Sequence, residues 1–149
     1  IYYYYVVSFD SQKKIIIKSN PIDFIEEYVL NDDIQKFRDS TDEITIFSKG
    51  MWRNYDISFK WDSTKKIIEI NSYFDIPKKN RISKSIYSLI SNVNSKATVG
   101  FFNYCSKLNT IFFSYKISIK GQNMMSIEQV QDFINIVINE CDRFFPSFF

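Results

Sequence analysis

The chain has 149 residues, about the length of one domain, and a domain of this size buries roughly 70% of the surface that its unfolded chain exposes. Its 19 Lys and Arg residues oppose 17 Asp and Glu residues, and the net charge of +2 is spread along the chain, which argues against electrostatic binding of nucleic acid. Because the chain has no histidine and its three glycines stand alone, it lacks Ser-His-Asp and Cys-His pairs, P-loops and dinucleotide-binding loops.

The N-terminal segment contains two short β-prone runs, IYYYYVVSF at 1–9 and KKIIIK at 13–18, with a polar turn at 10–12 between them. This pattern predicts a hairpin or an extension of a sheet edge. The first run lacks a basic stretch and a small-residue cleavage site, so it does not have the features of a signal peptide.

A first helix is predicted to begin after Asn20, which can act as its N-cap, with Pro21 at the first helical position. Apolar residues recur at helical spacing through Val29, and the helix is expected to end at 31–32. The apolar period then changes to two, which indicates four antiparallel strands joined by connections too short for a parallel crossover. These strands are predicted around residues 33–37, 44–47, 52–61 and 67–76.

Pro77 closes the fourth strand, and apolar residues between Ile82 and Val93 again step by three and four positions. This spacing predicts a second helix that ends within 92–96. The following segments are β-prone and have a polar turn between them. The strands are predicted at 97–106 and 110–120, with the turn at 107–109 between them.

The last segment, SIEQVQDFINIVINECDRFFPSFF at 126–149, has apolar residues at helical spacing along one side. Ser126 can cap this third helix, and Pro146 is expected to end it. Such a helix must lie on a large apolar surface, which we expect to be a sheet. The order α-β-β-β-β-α-β-β-α therefore predicts an α+β fold, with one antiparallel sheet and amphipathic helices packed on it.

Composition also limits the ligands and the location. Cys105 and Cys141 cannot form a zinc site by themselves, and buried free thiols are favoured over a disulfide. We expect no metal and no cofactor. Since no stretch approaches the roughly 18 consecutive apolar residues of a membrane helix, we also expect no membrane insertion and a cytoplasmic location.

Aromatic residues gather in two strand regions, 52–61 and 104–115. They could form a stacking platform for single-stranded nucleic acid, but such a platform needs interleaved cations. Arg53, Lys60 and Lys116 are the cations that the strands offer, and they are too few for such a platform. Burial beneath the helices is the favoured interpretation, and no nucleic-acid partner is expected.

Several motifs together resemble those of the bacterial YbjN family. The ending Glu140-Cys141-Asp142-Arg143-Phe144-Phe145-Pro146-Ser147-Phe148 is similar to the closing signature of that family, Glu-Cys-Asp-Arg-Phe-Tyr-Pro-Ala-Phe. The resemblance runs from about Asn20 to Phe149 and leaves residues 1–19 outside. The other motifs are Asn20-Pro21-Ile22-Asp23, Trp52-Arg53-Asn54-Tyr55 leading to Phe59 and Trp61, and Phe74-Asp75-Ile76-Pro77 followed by Arg81.

The resemblance implies a fold like that of type III secretion chaperones and a description as a sensory transduction regulator, with no established reaction. It also implies an N-terminal extension at 1–19 followed by a single domain at 20–149. Relatives often have Gly-His-Phe-Asp where this chain has Gly100-Phe101-Phe102-Asn103, and often tryptophan in place of Cys105. Any role of that histidine or aspartate would be absent here, so this segment is interpreted as a packing element.

Two classes of function follow. The preferred class is a non-enzymatic chaperone-like or adaptor protein, in which the sheet face or the second helix forms a homodimer and an exposed apolar groove binds a segment of another protein. Its candidate partner-binding residues are Trp52, Tyr55, Phe144 and Phe148. The alternative is a small-molecule or lipid-binding domain, including a divergent enzyme, with the polar groups Asp75, Arg81, Asp142 and Arg143; capping and ordinary surface pairing are the favoured roles of these four.

Overall fold

A computed structural model describes residues 20–75, 85–122 and 125–148 of the chain. The order of elements in these residues is the predicted one. The helices are α1 (Pro21–Asn31), α2 (Ser85–Lys96) and α3 (Ile127–Phe148), and the strands are β1 (Lys36–Ser40), β2 (Glu43–Lys49), β3 (Asn54–Asp62), β4 (Ile67–Asp75), β5 (Phe101–Cys105) and β6 (Thr110–Ser118).

The strands form one antiparallel sheet in the order β1-β2-β3-β4-β6-β5. The first four strands make the expected meander, and the β5–β6 hairpin then adds with β6 against β4. This pair is long, from Ile67 opposite Ser118 to Asp75 opposite Thr110. The predicted α+β fold with an antiparallel sheet is therefore confirmed.

Side chains alternate between the two faces of the sheet, and the helices cover one of them. On this face, opposite residues such as Ile44 and Phe59, or Phe102 and Phe113, are buried together. They form one core with the inward residues of the helices. Those helix residues include Ile22, Ile25 and Val29 of α1, Ile86, Ile90 and Val93 of α2, and Val130, Ile134, Val137 and Cys141 of α3.

The start of α1 is tied to the sheet as the sequence indicates. The Asn20 side chain accepts the backbone N–H of Ile22 at 2.9 Å, so it is the N-cap. Its amide donates to the carbonyl oxygen of Thr41 at 2.8 Å and to the Asp42 carboxylate at 2.9 Å. The chain therefore enters the described domain beside the β1–β2 turn.

The end of α3 differs from the prediction, because the helix continues through Pro146 to Phe148. A proline lacks the N–H that would bond to the carbonyl of the residue four positions earlier, here Asp142. The indole Nε1–H of Trp52 donates to that carbonyl oxygen at 3.0 Å instead. The expectation that Pro146 ends the helix is wrong because another part of the chain satisfies the freed oxygen.

Strand boundaries shift by a few residues from those predicted. The fifth strand begins at Phe101 rather than near Ala97, because Gly100 has a positive φ of 69° and the Thr98 amide bonds to a side chain of α3. The predicted hairpin at 1–18 and the predicted helix start near Ile82 lie outside the described residues. In the ranges that the structure describes, no helix is both long and apolar enough to cross a bilayer.

A charge introduced under α3 should abolish cooperative folding. Val137 has no exposed surface, so Val137→Asp would bury an unpaired carboxylate, at a cost comparable to the whole free energy of unfolding, about 5–15 kcal/mol. Urea unfolding monitored by circular dichroism measures this. The matched variant Asn135→Asp adds the same charge at an exposed position of α3 and should keep the parent transition; a parent-like transition in Val137→Asp would contradict the core assignment.

Candidate functional site

One carboxylate joins the β2–β3 loop to the last turns of α3. Both oxygens of Asp142 accept the backbone N–H of Met51, each at 2.9 Å. The Asp142 Oδ1 also accepts the hydroxyl of Tyr55 at 2.7 Å. Hydrogen bonds to a charged acceptor contribute about 1.5–3 kcal/mol, so Asp142 holds this loop against the helix. We refer to Met51, Trp52, Tyr55 and Asp142 as the Asp142 latch.

The loop can approach α3 because a glycine precedes the latch. A Cβ at Gly50 would overlap the ring of Tyr55 and would lie 2.8 Å from the Asp142 Oδ1. The Gly50 amide donates to the carbonyl oxygen of Arg53 at 2.9 Å, which closes the turn. A side chain at Gly50 would therefore push the loop away from the helix.

The ionisation of Tyr55 follows from its position in the latch. Burial, and next the hydrogen bond to Asp142, raise the pKa of Tyr55 above its ordinary value of about 10. The hydroxyl therefore keeps its proton through the neutral range. It is held as a donor to Asp142.

The latch presents two large apolar side chains to solvent. Met51 is 76% exposed and Trp52 is 53% exposed, although the backbone of the first and the indole N–H of the second are hydrogen-bonded to α3. We refer to Met51 and Trp52 as the tip. Its position is defined by bonds to a helix, so the tip is an exposed apolar pair on an ordered support.

A second carboxylate ties the other side of α3 to the α2–β5 loop. Glu140 is buried, and its Oε2 accepts the backbone N–H of Thr98 at 3.0 Å. Its Oε1 lies 3.5 Å from the Nη1 of Arg143, and the Arg143 guanidinium lies 4.6 Å from the centre of the Phe144 ring. Between the two carboxylates, Cys141 points into the core with no exposed surface. The Glu-Cys-Asp motif therefore holds a loop on each side of α3.

The predicted partner-binding residues differ in exposure. Trp52 belongs to the exposed tip, whereas Tyr55 is buried beneath it and Phe144 is buried against Phe102, with ring centres 5.7 Å apart. Phe148 is half-buried, with its ring 5.4 Å from that of Phe102. The structure thus places the predicted aromatic residues around the end of α3, and their role in binding stays a prediction.

The predicted polar ligand groups have other surroundings. Asp142 and Arg143 bond to the chain itself, as described above. Asp75 ends β4, its side chain lies outside the described part of the structure, and so does Arg81. Neither Asp142 nor Arg143 lines the cleft of about 450 Å³ beside Asp42, Trp61 and Lys116.

Two features of the site escape the sequence analysis. Met51 directly follows the Lys49-Gly50 turn, and an apolar residue at a turn is a signal of exposure that could have identified it. Glu140 lies at helical spacing between Val137 and Phe144, so its burial could have been inferred from the stripe. Among the described residues, no group of His, Cys, Asp and Glu could hold a metal ion.

The outer edge of β5 is closed by side chains. The Asn94 amide of α2 donates to the Phe102 carbonyl at 3.0 Å, and its oxygen accepts the Phe102 N–H at 2.7 Å. The Tyr104 N–H donates to the side chain of Asn103 at 2.8 Å. Occupied edge groups do not pair readily with another strand, so this edge is a poor place for a partner strand.

The comparisons with known proteins concern sequence and fold. The YbjN family, described as "Putative bacterial sensory transduction regulator", matches residues 21–149. The chain is similar in fold to "YbjN, a putative transcription regulator from E. coli", with a TM-score of 0.56, 11% identity and coverage of 82% of this chain and 86% of that one. A structure of the HopA1-SchA chaperone-effector complex gives a TM-score of 0.55, 9% identity and coverage of 82% and 89%. No curated protein sequence matches the chain.

The latch should appear as a coupling energy between two distant residues. Tyr55→Phe should lower the free energy of unfolding by about 1.5–3 kcal/mol, since the charged acceptor loses its hydroxyl donor. When Tyr55→Phe is made in the Asp142→Ala background, it should lower the free energy of unfolding by much less. Urea unfolding should therefore give a coupling energy between the two residues of about 1–2 kcal/mol. Asp132→Ala, an exposed carboxylate of α3, is the matched control, with a change within about 0.5 kcal/mol. Additive effects of Tyr55→Phe and Asp142→Ala would argue against the latch.

Alkaline pH should destabilise the fold through the buried thiol. Burial, followed by the neighbouring Asp142 and Glu140 charges, raises the pKa of Cys141 above its ordinary value of about 8.5. Above that pH the unfolded chain loses the proton first, so the free energy of unfolding falls as pH rises, by up to about 1.4 kcal/mol per pH unit for this group. For each protein the free energy of unfolding is compared with its own value at neutral pH. Between about pH 8.5 and 10 it should fall less in Cys141→Ala than in the parent. Equal slopes for parent and variant would refute this assignment.

Proposed function

The chain belongs to the YbjN family, and from that premise we propose that it is a non-enzymatic, chaperone-like regulator that binds another protein through the tip and the apolar surface around the end of α3. The observation that carries this proposal is the exposure of Met51 and Trp52 on a loop that is held by the Met51 amide and the Trp52 indole N–H. Tryptophan and methionine are enriched in protein interfaces, and tryptophan frequently dominates the binding energy.

An ordered tip reduces the cost of binding. A flexible loop would lose conformational freedom when a partner ordered it, at about 0.5–1.5 kcal/mol for each immobilised side chain. In this chain the bonds from Asp142 to the Met51 amide and to the Trp52 indole order the loop before any partner arrives. The stability of the latch is therefore expected to support affinity as well as folding.

The fold comparison supports protein binding as the class of activity. One of the similar structures is a chaperone-effector complex, in which a protein partner is bound. For this chain we infer a partner with an apolar segment, since the tip offers apolar surface. Self-association through the sheet face or α2, and a cytoplasmic location, are further parts of the proposal.

The alternative, a small-molecule or lipid-binding domain or a divergent enzyme, finds less support. Asp142 and Arg143 engage other groups of the chain, and the cleft of about 450 Å³ lies beside a different set of residues. An enclosed cavity of roughly 300 Å³ or more in which charged groups converge would favour that class. The absence of histidine adds to the case against acid–base catalysis near neutral pH.

Substitutions at the tip should remove partner binding and keep a cooperative fold. We expect Met51→Asp and Trp52→Ala to reduce recovery of a specific protein from the native cell by about tenfold or more in affinity capture, as loss of an interface anchor does. The matched control is Tyr87→Ala, which removes an exposed aromatic residue from α2. Trp52→Ala also removes the indole donor to the Asp142 carbonyl, whereas Met51→Asp keeps the backbone donor to the Asp142 carboxylate.

Urea unfolding of each variant separates binding from stability. A partner retained equally by the parent, Met51→Asp and Trp52→Ala would show that the tip is not the binding surface. A partner lost only in Tyr87→Ala would move the surface to α2. Capture of a small ligand that depends on Arg143, with no protein recovered, would favour the alternative class.

A further inference from the structure

A groove of about 260 Å³ lies between α1 and the first turns of α3. Its α1 side contains Phe24, Tyr28 and Asp32, which are spaced four residues apart, so the groove follows that helix for about 12 Å. Its α3 side is formed by Ile127 and Gln131, which are one turn apart. We refer to this site as the α1–α3 groove.

The floor of the groove is apolar and held in place. Phe24 and Tyr28 are half-buried and pack against the core. The Tyr28 hydroxyl donates to the Asp32 carboxylate at 3.0 Å, so its polar end is satisfied within α1. On the other side, the Ser126 side chain caps α3 by accepting a backbone N–H of the first turn at 3.1 Å. Ile127 is therefore presented on a fixed helix start, with 54% of its surface exposed.

The rim of the groove carries negative charge that the described structure leaves unpaired. Arg38 of β1 pairs with two carboxylates on another side of α1, at 2.8 Å each. In the described part of the chain, Glu27 and Asp32 of the groove and Glu128 next to Ile127 form no ion pair. Neither α1 nor the part of α3 that precedes Arg143 contains a lysine or an arginine. An acidic rim thus surrounds the apolar floor.

The dimensions and charge of the groove indicate what it can bind. Its volume is below the roughly 300–1,000 Å³ of pockets that enclose small molecules, so it suits side chains of a partner segment better than a free ligand. Amphipathic helices bind such grooves through apolar side chains that are one turn apart. Cationic side chains beside them would complement the acidic rim, which favours fast association and selects against acidic partners.

We propose that the α1–α3 groove binds an amphipathic helical segment of a partner protein. Apolar side chains of this segment pack against Phe24, Tyr28 and Ile127, and its lysines or arginines face the acidic rim. Ile127 and Asp142 are about 22 Å apart along α3, so the groove is a second surface, separate from the tip. This inference goes beyond the proposed function and does not depend on the tip.

Two synthetic helices test the proposal on the full chain. Both have about 15 residues and the same stripe of leucines, and their other faces carry lysine in one peptide and glutamate in the other. In fluorescence anisotropy titrations we expect saturable binding of the lysine peptide, at least about tenfold tighter than that of the glutamate peptide. Added salt should weaken it. Chemical shift changes in the isotopically labelled chain should lie on α1 and the first turns of α3.

Matched variants separate charge from apolar contact. Glu27→Lys reverses a charge of the rim, and Ile127→Ser removes an apolar wall; each should weaken binding of the lysine peptide by about fivefold or more. Asp56→Lys makes the same charge change on the sheet face away from the helices. Leu30→Ser removes an exposed leucine of α1 that does not line the groove. Both controls should keep the parent affinity within about twofold.

Several outcomes would overturn the proposal. They include equal affinity for the two peptides, binding of neither, and binding that Glu27→Lys and Ile127→Ser leave unchanged. Urea unfolding checks that the variants are folded, and two variants are made so that unfolding of one leaves the other. Shift changes confined to Met51 and Trp52 would place the peptide at the tip, which would overturn the groove and leave the proposed function standing.

Discussion

The attachment of α3 to the sheet is the constraint on which the rest of the structure depends. Its apolar residues cover the centre of the sheet, and the consecutive residues Glu140, Cys141 and Asp142 then use three directions of one helical turn. Cys141 enters the core, Glu140 holds the Thr98 amide, and Asp142 holds the Met51 amide and the Tyr55 hydroxyl. Because these bonds involve charged acceptors at least partly shielded from water, they are stronger than ordinary surface hydrogen bonds.

This attachment connects stability to the proposed function. Two polar groups of the tip, the Met51 amide and the Trp52 indole N–H, are bonded to α3, so its exposed side chains offer mainly apolar surface to a partner. Pro146 contributes by freeing the Asp142 carbonyl that the indole uses. The same features that complete the fold therefore shape the surface available for binding. The closed edge of β5 directs a partner away from strand addition at that side.

The two faces of the sheet have different roles in this account. One face is the core under the helices, and the other combines exposed aromatic rings with buried acceptors that lack donors. The exposed rings of this face, Tyr73 and Phe101, are the part that would gain from being covered.

The sequence by itself determined the order of the elements and the buried stripe of α3 through the spacing of apolar residues, and the cap at Asn20 through its residue type. Each of these depends on residues close together in the chain. The tertiary structure alone decided that Pro146 is tolerated within a helix and that Tyr55 is buried beneath an exposed Trp52. It also decided that the Asp142 carboxylate accepts hydrogen bonds from the chain's own β2–β3 region. The partners in the latch are separated by 87 to 91 positions. Such contacts have no local signature, since they arise only when the packing of α3 on the sheet brings its last turns to the β2–β3 loop.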